Sequence, residues 1–452
     1  PSNDGTVIYE KGTVVEHLVT DVRGDAISQF HPLGKYQVVE TKAPYGYTLN
    51  TEPKDVTLAY EGQEVALVEE SVSFVNERQQ VQLDTIKVDA DSKEAVAGAE
   101  ITLYAAKDIV NYEGEVIVEA GTALETVTTT ADGSVQFDMD LPIVEAVITS
   151  DSDEVDPDFS QTVIDGYRIV GDVNGSFALV ETKSPAGYAS YPLAYMFDTV
   201  ANSGEAIITF SYTFENEITK VEISKKDATT SEELPGAHLE VRDEEGNIVD
   251  EWISGEEPHI IEGLEVGKEY TLVETIHPLG FDFANEIKFV VGDTGEIQEI
   301  EMLDELKTGQ VTVHKTGNLF NEVTEGESDF GTTHTPVFNE AGLEGVEFTI
   351  YAAEDITLGN GITYFEKDEA VMTLKTDKEG KAISDALLVG KYYLKETNVP
   401  DGFVQNNEVY AFEIKDEDIQ GVNVDMDVFN NRASVTLDLT KVMETNHYDY
   451  SN

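Results

Sequence analysis

The chain has 452 residues, with 28 basic against 90 acidic side chains, a formal net charge of -62 at pH 7, and no cysteine. Such a charge argues against contact with nucleic acid or anionic membrane and suits a soluble protein kept from aggregating by self-repulsion. Without cysteine there are no disulfides, thiolate metal sites, cysteine nucleophiles or Cys-Gln thioesters, so an extracellular chain of this kind needs some other staple.

No signal peptide, membrane-length apolar run or LPxTG-type sorting signal is present, and the chain opens at Pro1 rather than at a methionine. We expect an internal window on a longer array. Short alternating runs of Val, Thr, Tyr and Phe between Gly, Asp and Asn turns predict an all-β chain, a tandem array of antiparallel β-sandwich modules. Short helical turns are expected only near Ala105-Ala106-Lys107-Asp108 and Ala352-Ala353-Glu354-Asp355.

The first repeat, residues 1–80, enters part-way through. Residues 5–41 align with residues 361–397 without a gap, matching Gly5 with Gly361, Gly24 with Gly380 and Glu40 with Glu396. The later copy has a strand before this point, Gly345 to Tyr351, that the first copy lacks. The second repeat, residues 81–219, opens at Val81 and closes at Phe214-Glu215-Asn216; its acidic insertion, Ser150 to Ser160, reads as a loop. The third, residues 220–306, is compact. The fourth, residues 307–432, carries a polar insertion from Asn318 to Glu340 that also reads as a surface loop. Residues 433–452 then repeat the module-opening pattern in Val435, Leu437, Leu439 and Lys441.

Each repeat contains one box: YQVVETKAPYGY from Tyr36, FALVETKSPAGY from Phe177, YTLVETIHPLGF from Tyr270 and YYLKETNVPDGF from Tyr392. The first half alternates as a strand, and Pro-x-Gly makes a turn. Parity places Glu181, Glu274 and Glu396 on the apolar face, although a lone buried carboxylate is costly. The same count turns Lys87, Lys225 and Lys315 of the opening strands inward, with Lys226 outward. It also turns Asn76, Asn216, Asp304 and Asn430 of the closing strands inward. A complete repeat thus aims a Lys, a Glu and an Asn or Asp into one small core.

A buried ion pair beside a hydrogen-bonded amide is one reading of this triplet. The chemistry permits another. Burial favours a neutral amine, which is a nucleophile, and a protonated carboxyl, which can relay protons. Attack of the amine on the side-chain carbonyl carbon of Asn would give a Lys–Asn isopeptide bond with loss of ammonia, and attack on that of Asp a Lys–Asp bond with loss of water.

The boxes, the K-x-D opening and the G-A-x-[IF]-x-L-Y strand resemble Cna protein B-type domains, also called SpaA-like or prealbumin-like domains, of Gram-positive surface adhesins and pilins. The resemblance covers nearly the whole chain. It implies Ig-like, prealbumin-like β-sandwiches in which the opening Lys bonds to the closing Asn or Asp, promoted by the box Glu. Carried over, Lys87 joins Asn216 with Glu181 as catalyst, Lys225 joins Asp304 with Glu274, and Lys315 joins Asn430 with Glu396. Two departures are visible: the first repeat has Glu40 and Asn76 but no lysine at the matching place, because that strand is absent, and Lys315-Thr316-Gly317 replaces K-x-D. Lys441 aligns with the bonding lysines and is expected to stay unbonded within the chain. Completion of a neighbouring subunit's first repeat by the Lys441 strand, with a bond to Asn76, is the less favoured alternative.

Cross-links of this kind imply a stalk or shaft segment of a cell-surface adhesin or pilus-like fibre, cell-wall attached through other regions. Its partners would be neighbouring modules or subunits. Self-modification happens once, so the chain is not an enzyme in the usual sense. The alternative is an adhesin segment gripping a host or matrix ligand through the loops of the second and fourth repeats. A hydrolase is disfavoured, since none of the eight His falls in HExxH spacing and no GxSxG or phosphate loop appears. No cofactor or metal is implied; Asp89-Ala90-Asp91 and Asp151-Ser152-Asp153 lack EF-hand spacing.

Overall fold

In a computed structural model of the chain, the residues described are 5–111, 114–143, 167–172, 174–201, 205–416 and 423–442. Among them there is no helix. The expected helical turns are bends at strand ends, after Ala105 and after Ala352, followed by the two-residue strands Ile109–Val110 and Ile356–Thr357. Ala and Asp favour a turn there, but each run is too short to close a helical turn between two strands. The acidic insertion Ser150 to Ser160 lies outside the described residues.

The chain divides into two compact units. The first comprises Pro1–Val88, Lys93–Lys183 and Tyr191–Glu215. Its leading part holds one antiparallel pair, Gly34–Val38 with Lys54–Leu58. Val19, Val22, Ile27 and Phe30 stand exposed before it. Beyond it, a five-stranded sheet runs in the order Ala123–Thr128, Glu100–Ala105, Phe177–Lys183, Leu193–Phe197, Arg168–Gly171. A second sheet places Gln80–Asp89 between Ile207–Asn216 and Ser134–Val135. Ile101, Leu103, Phe177, Leu179, Val135 and Phe214 fill the space between the two sheets. The box strand Phe177–Lys183 is buried on both faces as far as Glu181, because Tyr104, Tyr167 and Ile169 cover Ala178 and Val180.

The second unit comprises Asp89–Ser92, Ser184–Ser190 and Asn216–Asn452. In the third repeat, Lys220–Asp227 lies between His259–Glu262 and Ile297–Asp304. The facing sheet runs Ile248–Ile253, His238–Arg242, Glu269–Ile276, Ile287–Val290. Val221, Ile223 and Met302 from one sheet meet Leu239, Val241, Tyr270 and Leu272 from the other. The fourth repeat follows the same plan. Its opening strand Thr308–Ser328 pairs with Asn423–Asn430, and its facing sheet runs Ala370–Lys375, Glu347–Ala352, Gly390–Asn398, Val409–Ile414.

Two features differ from the sequence-based expectation. Opening and closing strands pair in parallel, with Lys225 opposite Met302 and Lys315 opposite Val428, so the sandwiches are not wholly antiparallel. Strand alternation is the same in either direction, which is why the sequence is silent on this point. The insertion from Asn318 to Glu340 is not a loop but a β-hairpin, in which Thr308–Ser328 pairs with Gly331–Gly342 as far as Ser328 opposite Gly331. Its threonines and valines suit a pleated strand, Phe320 meets Phe338 edge-on, and Gly331 takes the positive φ of 109° at the turn.

Candidate functional site

The side chains singled out by parity are buried in the second, third and fourth repeats, whereas Asn76 of the first is half-buried. Lys87, Lys225 and Lys315 are at most 1 % exposed, which is rare for lysine, and they are among the largest fully buried side chains. On the strand Lys220–Asp227 every second residue is buried, and this alternation turns Lys225 into the core. Lys226 points outward and pairs with Glu301 at 2.6 Å.

In the fourth repeat three groups close a triangle. Lys315 Nζ donates to Asn430 Oδ1 at 2.6 Å, Asn430 Nδ2 donates to Glu396 Oε1 at 2.7 Å, and the amine lies 3.5 Å from Glu396 Oε2. The parallel register produces this meeting: Lys315 stands opposite Val428, and Asn430 follows two residues later on the same face. In the third repeat Lys225 Nζ contacts Asp304 Oδ1 directly and lies 3.1 Å from Glu274 Oε1. In the first unit Lys87 Nζ lies 3.0 Å from Glu181 Oε2, with the Tyr191 ring centroid 5.4 Å away. Asn216, in the second unit, is 2 % exposed and donates to the Ala189 carbonyl at 2.9 Å. In the first repeat Asn76 Nδ2 donates to both oxygens of Glu40, at 2.7 and 2.9 Å, and to the Thr48 carbonyl at 2.8 Å. Lys441 is exposed and outside any strand.

Two devices that sequence reasoning missed hold the box Glu. The first is a bulge. Pairing with the neighbouring strand skips Thr182, Thr275 and Thr397, the residue just after each Glu. Each skipped threonine donates its hydroxyl to the carbonyl of the neighbouring strand's first residue: Glu100 and His238 at 3.3 Å, Glu347 at 3.2 Å. A bulge of this kind re-aims the side chain beside it. The second device is a backbone N–H ten residues on. Asn50, Ala284 and Asn406 donate to Glu40, Glu274 and Glu396 at 2.7, 2.8 and 3.0 Å. One carboxylate oxygen is thereby fixed, and in the third and fourth repeats the other faces the amine. The recurring Glu-Thr pair was the only signal in the sequence for either device.

Burial sets the electrostatics. It pushes the Asp304 carboxyl up to about 7, outweighing the nearby Lys225 charge, and Glu274 adds to the rise. It also lowers the Lys315 amine, with Glu396 opposing. A neutral amine beside a neutral acyl acceptor is the arrangement nucleophilic attack requires. Among the described residues no group of His, Asp and Glu is arranged to hold a metal ion.

A family model described as the SpaA prealbumin-like fold domain matches residues 3–71, 219–306 and 335–427. No curated protein matches the chain. Among solved structures, the Bacillus anthracis TIE protein is 21% identical, with 85% of this chain and 55% of that chain covered and a TM-score of 0.44. The shaft pilin SpaA from Lactobacillus rhamnosus GG is 18% identical over 50% of this chain and 97% of that chain, with a TM-score of 0.24. The major pilin subunit of Bacillus cereus is 13% identical over 78% of this chain and 100% of that one, with a TM-score of 0.33. This chain therefore spans little more than half the length of the TIE protein chain.

Proposed function

Because the chain belongs to the family of SpaA prealbumin-like fold domains, we propose that it is a stalk or shaft segment of a Gram-positive surface fibre, stiffened by isopeptide bonds that it forms itself. The observation that carries this reading is the closed triangle of Lys315, Glu396 and Asn430 in a fully buried core. The fold brings these groups together across 115 residues of chain.

The neutral Lys315 amine attacks the Asn430 side-chain carbonyl carbon. Glu396 takes a proton from the attacking nitrogen and delivers one to the departing nitrogen, so ammonia leaves and a secondary amide remains. In the third repeat the same sequence between Lys225 and Asp304, relayed by Glu274, releases water; the raised pKa of Asp304 supplies the neutral carboxyl this step needs. Lys87, Glu181 and Asn216 are the remaining set, with loss of ammonia.

Each bond closes a long loop: 79 residues separate Lys225 from Asp304, and 115 separate Lys315 from Asn430. By the loop-entropy argument used for disulfides, each is worth about 4–5 kcal/mol, and reductants cannot reverse it. That suits an extracellular chain without cysteine. Neighbouring modules or subunits of the fibre are the partners, and wall attachment belongs to other regions.

Intact mass under denaturing conditions tests the proposal. The expected deficit from the sequence mass is two ammonias and one water. One unit returns in each of Glu181→Ala, Glu274→Ala and Glu396→Ala. A mass equal to the plain sequence sum would reduce the clusters to buried ion pairs.

A further inference from the structure

Between consecutive repeats the chain has few residues to spare, and one of them is buried each time. Gln79, Thr219 and Lys307 each lie three positions after a closing Asn76, Asn216 or Asp304. They are 1, 1 and 3 % exposed. Each backbone N–H donates to the carbonyl of the preceding box glycine: Gln79 to Gly46 at 2.8 Å, Thr219 to Gly187 at 3.0 Å, Lys307 to Gly280 at 2.9 Å. Each side chain then reaches into the repeat that follows. Gln79 donates to the Glu205 carbonyl at 2.5 Å, Thr219 to the Leu264 carbonyl at 2.6 Å, and Lys307 to Asp416 at 3.0 Å. Ala433 holds the same place after Asn430 and bonds to the Gly402 carbonyl at 2.8 Å, but has no polar side chain to send onward.

The joint between the third and fourth repeats is the most fully built. Lys307 lies between Asp416 and, at 3.8 Å, Asp282 of the third repeat, and Asp416 also accepts from the Gly280 N–H at 3.1 Å. Phe281 and Leu234 of the third repeat are fully buried in the apolar cluster of the fourth. The Gly359 N–H donates to the Leu279 carbonyl at 2.8 Å, and a Cβ on Gly359 would stand 2.7 Å from Pro278 Cβ. Asn360 donates to Asp227, itself 1 % exposed, at 2.9 Å. Tandem domains joined by small polar contacts move relative to one another by default. Here, opening the joint would expose Phe281 and Leu234 and break backbone hydrogen bonds as well as an ion pair.

We propose that the box turn has a second role as the socket for the following repeat. The buried linker residue is the pin that locks the joint, so the third and fourth repeats move as one rigid body. This rests on the noncovalent geometry alone and holds whether or not the lysines are bonded.

The absence of cysteine makes the test direct, since two introduced cysteines are the only labelling sites. Spin labels at Lys288→Cys and Lys375→Cys, both exposed on strands, report the distance distribution between the two repeats in the full chain. A narrow distribution is expected, broadening at least about twofold in Lys307→Met and in Gly359→Val once the joint is free to move. Near-UV circular dichroism shows whether each repeat stays packed. Where Gly359→Val disturbs that spectrum, Lys307→Met decides alone. A distribution already broad in the labelled parent, or one the deciding variant leaves unchanged, overturns the proposal. Because intact mass is measured independently, failure here and failure of the cross-linking proposal are distinguishable.

Discussion

Asn76 is seated on Glu40 in the same way that Asn430 is seated on Glu396, with an amide nitrogen 2.7 Å from a box carboxylate oxygen in both. The first pair is half-buried and has no lysine beside it among the described residues; the second is fully buried around Lys315. The seating of the acceptor amide therefore does not depend on the amine. It follows from the box strand, the backbone N–H ten residues beyond the Glu and the linker bond to the box glycine, all present in both repeats.

Replacing Lys315 by Met keeps the apolar stem and removes the amine. The fourth repeat should then lose the cross-link contribution of about 4–5 kcal/mol, lowering its melting transition by on the order of 15 °C. Calorimetry on the full chain should show this shift in one transition only, with one ammonia restored to the intact mass.

Asp304 gives the third repeat a pH dependence while it is unbonded. Its carboxyl titrates near 7 when folded and at its ordinary low value when unfolded, so the folded state holds the extra proton. The resulting stabilisation is fully present below pH ~4 and is lost as pH rises through about 7. With the bond blocked by Glu274→Gln, the urea midpoint of this repeat should fall between pH 5 and pH 8. It should fall less in Glu274→Gln/Asp304→Asn, and equal slopes in the two variants would remove Asp304 from the account.

The bulge makes its own prediction. Thr397→Val keeps the shape but removes the hydroxyl that donates to the Glu347 carbonyl, at a cost of about 1 kcal/mol. In a Glu396→Gln background, where no bond can form, the urea midpoint of the fourth repeat should drop accordingly. With Glu396 intact, the fraction of chains that have lost ammonia from the fourth repeat should fall.

The hairpin arm should be dispensable for the chemistry. The closing strand pairs with the opening strand only as far as Asn430 opposite Gly317, before the arm begins. Replacing residues 320–338 by a short turn should leave the ammonia loss of the fourth repeat intact. The stability cost should be about 0.5–1 kcal/mol, from losing the Arg432 guanidinium stacked 3.9 Å from the Phe338 ring.

What the sequence disclosed followed from period-two alternation. Val221, Ile223 and Lys225 had to share a face whatever the strand paired with, so alternation alone marked the inward lysines. Strand direction carries no such mark, and the parallel pairing of Lys225 with Met302 stayed hidden. The arm from Asn318 was hidden for another reason: its polar residues suit either a solvated loop or a ribbon exposed on both faces, and only the pairing distinguishes them. The pins Gln79, Thr219 and Lys307 share a position but no chemistry, so no residue-type pattern could have marked them.

The parallel pairing of opening and closing strands decides what tension can reach. A chain pulled at both ends enters the fourth repeat at Thr308 and leaves beyond Asn430, so adjacent strands are drawn past each other and their ladder is loaded in shear, not unzipped rung by rung. With Lys315 bonded to Asn430, the pull crosses from one strand to the other at that point and bypasses everything between. The 115-residue separation would otherwise release roughly 400 Å of slack at full extension. In the bonded repeat those residues would instead hang as an unloaded loop, and the repeat would bear force without lengthening.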